Sequence, residues 1–323
     1  MNLYNSLEEI VGIEGTAIAL GNFDGVHVGH QELMERTVKA AKAANLKSAV
    51  FTFSNHPRNL LSKGQTVKNI LYPEEKAAVI KAFGVDYMFN VPFDDEMRCM
   101  SAVEFIDKIL LMKLKMQEVC CGFNFKFGHK SSGSAETLVS EGAKGHFRTH
   151  VLGPVIIGGE VVSSSRIREC IEQGDVVRCM RFMGRRYSIG GEVVVGNRLG
   201  KTIGFPTSNL IVDDSMVSPA NGVYITYCTH NGKRYPSVTN VGTKPTVGEH
   251  SKNMETHIFD FDKELYGKTI RVEFIKKTRD EKKFENMDAL AGQIRKDCAS
   301  AMDYHRKMRR AASYDGSDST LFV

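Results

Sequence analysis

The sequence lacks three features that would place it in a specialised class. No apolar run approaches the length needed to span a bilayer, so no membrane-spanning helix is predicted. Seven cysteines occur without a Cys-x-x-Cys pair, which argues against a disulfide framework and against a structural zinc site. The polar stretch from Met1 to Glu9 does not resemble a secretion signal. We therefore expect a protein of the reducing cytoplasm.

The sequence also has little excess of one sign of charge over the other. The net charge is +5 over 323 residues, which helps to hold anionic nucleotides but is too small to indicate a nucleic-acid-binding protein. The sequence shows neither an internal repeat nor a Walker phosphate-binding loop. Its length predicts two domains.

The two halves of the chain follow different secondary-structure patterns. The first half alternates strand-like and helix-like segments, which predicts a parallel sheet with helices on its faces. The second half has short strand-like runs, an Asn231-Gly232 hairpin turn and one apolar-faced helix near its end, which predicts a small antiparallel β-barrel closed by a C-terminal helix. The predicted strands of the first half are Ala17–Gly21, Ser48–Phe53, Tyr87–Phe93 and Gln117–Gly122, and its helices begin near Val28, Pro73 and Ser101.

The change of pattern gives the predicted domain boundary. We place it near Met183–Arg186, with an α/β domain over residues 1–184, a barrel domain over 185–305 and a tail over 306–323. The stretch from Ala311 to Thr320 is small and polar and is expected to be frayed.

The most informative segment is Gly21–His30, which reads as a strand end, a glycine-rich turn and the first turn of a helix. His27 and His30 project from one face of that helix start. The unpaired N–H groups and partial positive charge of a helix N-terminus suit a phosphate. Imidazoles there can stabilise the charge that develops when an α-phosphorus is attacked. This His-x-Gly-His pattern is typical of nucleotidylyl transferases, although the same residues also occur in a tight turn that carries a surface histidine.

A second candidate phosphate site is Ser163–Arg168, with three consecutive serines before a helix. Serine hydroxyls and N–H groups can hold phosphate, and Arg166 and Arg168 can clamp a triphosphate. Helix capping with solvated arginines is the simpler interpretation of this segment alone. The upstream histidine motif favours phosphate binding, because both segments fall in one predicted domain.

Two further segments of the first half follow predicted strands. In Cys121–Gly128, three alternating phenylalanines either pack in a strand or face a flat aromatic ligand, and Asn124 lies between them. In Phe53–Arg58, His56 and Arg58 can reach a substrate or can simply form the turn around the intervening proline.

The second half contains a glycine-rich loop and a strand carboxylate. Glycines between Gly196 and Gly204 can wrap phosphates with backbone N–H groups. Thr207 and Asn209 lie on one side of the chain if it is extended, and their oxygens suit Mg²⁺. Glu255 can accept a proton from an attacking hydroxyl, although a solvated strand carboxylate is the simpler interpretation.

These motifs, in this order, closely resemble the bacterial FAD synthetases, the bifunctional riboflavin kinase/FMN adenylyltransferases. The resemblance runs from near the start to about residue 305. In the first domain the matching stretches are Leu20–His30, Thr52–Arg58, Gly122–Gly128 and Ser163–Arg168. In the second domain they are Gly200–Asn209, Asn221–Tyr224, Asn240–Thr246 and Glu255–Asp260.

The resemblance implies a Rossmann-like nucleotidylyl transferase domain followed by a riboflavin kinase barrel. ATP and Mg²⁺ would serve phosphorylation of riboflavin in the barrel and adenylylation of FMN in the first domain. The implied catalytic residues are Glu255, as the base of the kinase, with His27, His30, Asn124 and Arg166 for adenylylation. The implied ATP-binding residues are Gly21, Asn22, Phe23, Asp24, Gly29, Ser163, Ser164, Ser165, Arg168, Gly200, Lys201, Gly204, Thr207 and Asn209. Thr207 and Asn209 are the implied metal ligands, and the flavin-binding residues are His56, Arg58, Arg279 and Glu281.

The chain departs from the family pattern at three positions. Ser165 stands where the family usually has threonine, which keeps the hydroxyl, and Ser208 stands where it has alanine. Lys201 replaces an arginine, which keeps the charge but loses the bidentate fork. These changes concern affinity rather than chemistry.

Two other functions compete with this interpretation. One is a nucleotidylyl transferase for another phosphate ester, or a synthetase-like adenylate former. A synthetase also needs a Lys-Met-Ser-Lys-Ser-like loop, which Lys276-Lys277-Thr278 imitates poorly, and this function leaves the second domain unexplained. The other is a regulatory flavin- or nucleotide-binding module without catalysis, which needs neither the paired histidines nor the carboxylate at Glu255.

Overall fold

The computed structural model describes residues 1–61, 67–196, 200, 203–243 and 252–314. The chain forms two compact units, Met1–Ser164 and Ser165–Val323. The domain boundaries predicted above stay predictions. Two helices that the sequence groups with the first domain, α7 (Ser164–Gln173) and α8 (Val176–Met183), fall almost wholly within the second unit.

The first unit contains the predicted parallel sheet. Its six strands have the order β1-β4-β3-β2-β5-β8, and every neighbouring pair is parallel. Two short antiparallel pairs, β6–β7 and β9–β10, accompany it. The strands of this unit are β1 (Asn2–Tyr4), β2 (Thr16–Leu20), β3 (Lys47–Phe53), β4 (Tyr87–Val91), β5 (Met116–Gly122), β6 (Lys126–Phe127), β7 (Gly133–Ser134), β8 (Arg148–Leu152), β9 (Ile156–Ile157) and β10 (Glu160–Val161).

Strand β2 is buried along its whole length, as expected for a strand covered on both faces. It lies between β3 and β5, so the order of the sheet reverses at β2. Ligands of open α/β sheets bind outside the carboxyl ends of strands at such a reversal. The fold therefore places the segment after Leu20 where a ligand is expected.

The helices of the first unit follow their sequence signals. Ser101 forms the predicted capping box with Glu104, but the helix then continues as a π-helix over Phe105–Lys113 rather than as a regular α-helix. The helices are α1 (Val28–Ala44), α2 (Pro57–Leu61), α3 (Pro73–Ala82), α4 (Asp95–Cys99), α5 (Ala102–Glu104) and α6 (Ala135–Glu141).

The second unit contains the predicted antiparallel barrel. Its six strands have the order β11-β16-β13-β14-β15-β12. An antiparallel bridge between Val194, just after β11, and Asn209, on β12, joins the two ends of that order and closes the barrel. The strands are β11 (Ser188–Glu192), β12 (Ser208–Ile211), β13 (Gly222–His230), β14 (Lys233–Thr243), β15 (Lys252–Ile258) and β16 (Thr269–Arg279).

The predicted Asn231-Gly232 turn joins β13 to β14, and both residues have positive φ (48° and 72°). One face of these strands carries a row of fully buried hydroxyls. Thr226 hydrogen-bonds Thr239 (2.8 Å), and Thr239 hydrogen-bonds Thr256 (2.9 Å). Because side chains alternate along a strand, the neighbouring positions face the other side.

The final helix, α9 (Met287–Tyr314), packs against β13 and β14 through Cys298 and Ala301. It extends through Tyr314, so the first four residues of the segment from Ala311 to Thr320, which was expected to be frayed, are helical; residues 315–320 lie outside the described residues. Packing of the earlier turns of this helix supplies most of its stability, and adding residues to a formed helix costs little, because helix formation is cooperative. No helix in the described ranges is both long and apolar enough to cross a bilayer.

Candidate functional sites

The loop between β2 and α1 has an unusual backbone. Phe23 (φ 50°), Gly25 (φ 79°) and Val26 (φ 37°) all have positive φ. A β-branched residue rarely adopts this conformation, and such strain persists only where the surroundings impose it. Here Phe23 and Val26 are completely buried, and the side-chain amide of Gln31 donates to the Val26 carbonyl (2.9 Å). Burial of these two side chains therefore fixes the conformation of the loop.

His27 is the N-cap of α1, and its Nδ1 accepts a hydrogen bond from the His30 backbone N–H (3.2 Å). An Nδ1 that accepts leaves Nε2 as the protonated nitrogen of the neutral imidazole. The rings of His27 and His30 are stacked, with centroids 3.6 Å apart, and Phe23 lies 5.0 Å from His30. The predicted histidine pair is thus one packed unit, with His27 only 7% exposed.

A side chain in place of Gly29, between the two histidines, would crowd the His27 ring. A Cβ at this position would lie 3.3 Å from the His27 ring and 3.6 Å from Val155. The first distance is tighter than ordinary van der Waals contact, so a side chain here would require the imidazole to shift by a few tenths of an ångström.

Hydrogen bonds from distant segments hold the start of the loop. Thr52, at the end of β3, donates to the Asn22 carbonyl (2.9 Å), and both Asp24 carboxylate oxygens accept from the Ile70 N–H (3.0 and 3.3 Å). The Ser164 hydroxyl donates to the Asp24 carbonyl (2.8 Å). Ser164 therefore contacts the β2–α1 loop, which connects the predicted serine segment to the histidine segment.

A pocket lies at the carboxyl ends of β2 and β3. Sequence reasoning missed its buried cation, Lys76, because a lysine on an amphipathic helix usually indicates a solvated face. His56 lines the pocket as predicted, whereas Arg58 is exposed and is not among the lining residues. The lining residues are Asn22, Asp24, Phe53, Ser54, Asn55, His56, Asn69, Leu71, Pro73 and Lys76.

Asn124 follows β5, which is the neighbour of β2 on the side opposite to β3. Its side chain is exposed and its Oδ1 lies near Gly122, where a Cβ would be 3.4 Å away. Of the alternating phenylalanines, Phe125 and Phe127 stack on each other at 5.6 Å, but Phe123 is 43% exposed. Packing therefore accounts for two of the three rings.

The arginines of the serine segment lie on α7 and belong to the second unit. Arg166 is exposed and forms an ion pair with Glu169 on the same helix (2.6 Å). Ser165 is exposed and Arg168 is half-buried. In the first unit, Ser163 precedes α7 and is half-buried.

In the barrel, three polar residues form a row across neighbouring strands. Glu255 on β15 pairs with Asn209 on β12 and with Asn240 on β14. Directly paired residues of antiparallel strands face the same side of the sheet. The row faces away from the buried hydroxyls, and Asn209 is only 4% exposed while Glu255 and Asn240 are half-buried.

Asn253 is a site residue that the sequence did not reveal. Its amide nitrogen donates to Glu255 Oε1 (3.1 Å) and approaches Asn209 Oδ1 at 3.4 Å. It lies two positions before Glu255 on β15, so it shares the face of the row. The sequence does show that Asn253 and Glu255 are two positions apart in a strand, which puts them on one face. Only the register between β15 and β12 shows that this face is the one that carries Asn209.

The loop before β12 is described only in part. Gly200 accepts backbone hydrogen bonds from Ile203 and Phe205 (3.3 and 2.7 Å), and its Cβ position lies 3.5 Å from the Thr207 methyl. Gly204 has φ 85°, a conformation that favours glycine. Lys201 lies outside the described residues.

Thr207 and Asn209 offer hydroxyl and amide oxygens, the hard donors that Mg²⁺ prefers. Among the residues described, no group of three or more His, Cys, Asp and Glu side chains is arranged to hold a metal. A cation here would complete its shell with water and nucleotide phosphate, which is usual for Mg²⁺. The donor set fits that ion.

The predicted flavin residues of the second unit already have protein partners. Arg279, at the end of β16, forms a bidentate ion pair with Asp297 on α9, with Nη2 to Oδ2 at 2.6 Å and Nε to Oδ1 at 3.1 Å. Glu281 accepts from the Asn221 side-chain amide (2.9 Å). Asn221 in turn accepts from Lys252, at the start of β15.

Two family models match separate parts of the chain. The model described as FAD synthetase matches residues 11–166, and the model described as riboflavin kinase matches residues 183–305. The two matches cover the parallel-sheet region and the barrel, respectively.

Similar proteins match both parts at once. The chain is 33% identical to the bifunctional riboflavin kinase/FMN adenylyltransferase of Bacillus subtilis, over 91% of this chain and 94% of the relative. It is 32% identical to the protein of that name from Escherichia coli K12, over 90% and 93%. A crystal structure from Streptococcus pneumoniae, titled as a macrolide-efflux protein, is 30% identical with a TM-score of 0.85 and covers 93% of this chain and 98% of that one.

Proposed function

The chain belongs to the family of bifunctional riboflavin kinase/FMN adenylyltransferases, and from this premise we propose how its residues divide the two reactions. It is a riboflavin kinase that makes FMN and an FMN adenylyltransferase that makes FAD, with ATP as co-substrate of both reactions. One observation supports the division most: the two family models fall on separate parts of the chain, and each part has its own polar constellation.

In the kinase reaction, Glu255 accepts the proton of the riboflavin 5′-hydroxyl as the hydroxyl oxygen attacks the γ-phosphorus of ATP. The bond between the γ-phosphorus and the β–γ bridging oxygen breaks, and ADP leaves. Positioning supplies most of the rate in such transfers, because the chemistry needs little covalent help. The hydrogen bond from Asn253 to Glu255 Oε1 holds the carboxylate in a fixed orientation.

Thr207 and Asn209 are the proposed Mg²⁺ ligands. The ion would neutralise charge on the ATP phosphates. Asn209 pairs with Glu255 across β12 and β15, so a nucleotide held there lies beside the proposed base. The glycine-rich loop with Gly200, Lys201 and Gly204 is proposed to enclose the phosphates, and Arg279 and Glu281 to contribute to the flavin pocket.

In the adenylylation reaction, an oxygen of the FMN phosphate attacks the α-phosphorus of ATP, and pyrophosphate leaves. The nucleophile is already an anion, so a strong base is unnecessary. His27 is suited to stabilise developing negative charge, because its Nε2 carries a proton while Nδ1 is held by the His30 N–H. His30 stacks on His27 and shares this role.

The other proposed residues of adenylylation surround the substrates. The backbone of Gly21, Asn22, Phe23 and Asp24 and the segment from Ser163 to Arg168 are assigned to ATP, with Arg166 on the polyphosphate. Asn124 is assigned to a phosphate of ATP or FMN, and His56 and Arg58 to the flavin. A cytoplasmic location completes the proposal and is inferred from the cysteine pattern.

A chromatographic product assay with riboflavin, ATP and Mg²⁺ tests the division. We expect FMN first and FAD afterwards, and FAD alone when FMN is supplied. FMN without FAD, even from supplied FMN, would show that the first unit is inactive or has another substrate. Flavin binding without any product would contradict both catalytic assignments.

A further inference from the structure

Lys76, on α3, is a buried cation beside the β2–α1 loop. Its side chain lines the pocket at the ends of β2 and β3 and is 8% exposed. A buried charge is costly unless it is paired or serves a function. Its contacts therefore show which of these applies.

The contacts of Lys76 in the described part of the chain are with neutral oxygens. Its Nζ donates to the Phe53 carbonyl (2.9 Å) and lies 3.5 Å from Thr52 Oγ1. An ammonium group has three N–H donors, so these two acceptors leave one donor for a ligand in the pocket. Thr52 in turn donates to the Asn22 carbonyl, which connects Lys76 to the loop that precedes the histidine pair.

Within the described ranges, Lys76 forms no direct ion pair that would neutralise its charge. Burial lowers the pKa of Lys76 to about 8, and the negative charge of Asp24 opposes this shift only in part. Asp24 itself is committed to the Ile70 N–H. At neutral pH the pocket thus holds a mostly protonated ammonium whose charge an incoming anion would stabilise.

We propose that Lys76 binds a phosphate group of a substrate of FMN adenylylation in this pocket, through its remaining N–H donor. This inference rests on the proposed function, since both substrates of that reaction carry phosphates. The phosphate of FMN and the polyphosphate of ATP are the two sources of this chemistry. Besides Lys76, the titratable groups among the residues that line this pocket are Asp24 and His56.

Steady-state kinetics with supplied FMN and ATP tests the proposal on the full chain. Lys76→Met removes the charge but keeps most of the side-chain volume, Lys76→Arg keeps the charge, and Lys81→Met alters an exposed lysine on the same helix. We expect Lys76→Met to raise one KM by about 10- to 100-fold, as for the loss of a charged hydrogen bond. Lys76→Arg should recover part of this loss, and Lys81→Met should match the parent.

The pattern of KM values identifies the phosphate. A raised KM for FMN alone assigns the FMN phosphate, and a raised KM for ATP alone assigns the polyphosphate. A fall in kcat with both KM values unchanged would overturn the proposal and leave Lys76 as a tie between α3 and the loop. If the parent makes no FAD from FMN, the proposed function itself fails. If the parent and the Lys76→Met variant make FAD with equal kinetics, the proposed function stands and the role of Lys76 is overturned.

A measurement on the unaltered protein covers the case in which Lys76→Met does not fold. The rate of Lys76 acetylation by an acetyl ester is followed by peptide mass spectrometry with FMN or riboflavin, and with ATP or adenosine. We expect slower acetylation with the phosphate-bearing member of one pair than with its phosphate-free partner. Equal rates within both pairs would overturn the proposal.

Discussion

The two units position their polar side chains in different ways. In the first unit the candidate site is a loop and a helix start at the end of a buried strand, and a strained backbone carries it. In the second unit the site is a row of side chains on paired strands, and the register of the sheet carries it. A loop site depends on what holds the loop, whereas a strand site depends on which residues are opposite each other.

This difference explains where each site is vulnerable. Gly29 leaves the His27 ring in place because it has no side chain, and the bonds from Thr52 and Ser164 hold the loop from outside. In the barrel, Asn253 both supports Glu255 and approaches Asn209, so one side chain connects the proposed base to a proposed metal ligand. Four experiments test this comparison, in order of decreasing expected effect.

The largest expected effect is on the kinase reaction of Glu255→Gln. Removing the proton acceptor should lower kcat for riboflavin phosphorylation about 100- to 1,000-fold, the usual contribution of a general base. Adenylylation of supplied FMN should stay near the parent value, because Glu255 lies in the barrel. Glu264→Gln, at an exposed position, is the control. Equal loss of both activities would contradict two separate sites.

His30→Ala should have the converse effect. Loss of the ring stacked on His27, and of its own contacts, should reduce FAD formation from FMN about 100-fold while FMN formation continues. The exposed His146→Ala is the matched control in the same unit. A normal rate of FAD formation would remove His30 from the proposed machinery.

Asn253→Ala should lower kinase activity about tenfold, the order expected for one lost hydrogen bond to a charged group. We expect kcat to fall because Glu255 loses its amide partner, and the KM for ATP to rise because Asn209 loses its neighbour. Adenylylation of FMN by the same preparation is the internal control. An unchanged kinase reaction would show that the strand register alone holds Glu255.

The smallest effect is a pH dependence of stability in the second unit. His305 on α9 is 4% exposed, and burial, with further contributions from Arg234 and Arg309, lowers its pKa despite a hydrogen bond to the Ser237 carbonyl. Below about pH 6.5, the ordinary value for histidine, the unfolded chain binds a proton that the folded chain resists. Stability should therefore fall as the pH drops from about 6.5 toward the lowered pKa.

Thermal unfolding of the full chain between pH 5 and 8 measures this effect. The difference in Tm between the parent and His305→Gln should shrink as the pH falls, because glutamine does not titrate. A difference in Tm that is constant with pH would show that His305 does not contribute through its protonation.

Local pattern was enough for much of this protein. The sequence predicted three local features that the structure confirms: the alternation of strands and helices, the Asn231-Gly232 turn and the Ser101 capping box. These features depend on neighbours in sequence, such as side-chain periodicity and turn conformation. The family and both reactions were also predicted, because the motifs keep their order along the chain.

Residues whose importance depends on distant partners were not predicted. The sequence around Lys76 is typical of a solvent-exposed helix face. In the structure Lys76 is a buried pocket residue, because the end of β3 and the β2–α1 loop lie against it. Asn253 was one polar residue in a strand until the register with β12 placed it against Asn209. The sequence by itself determined the two folds and the histidine and glutamate motifs, since these are local or ordered patterns. Only the tertiary structure decided which side chains support them, because burial and strand register arise from contacts between segments far apart in the chain.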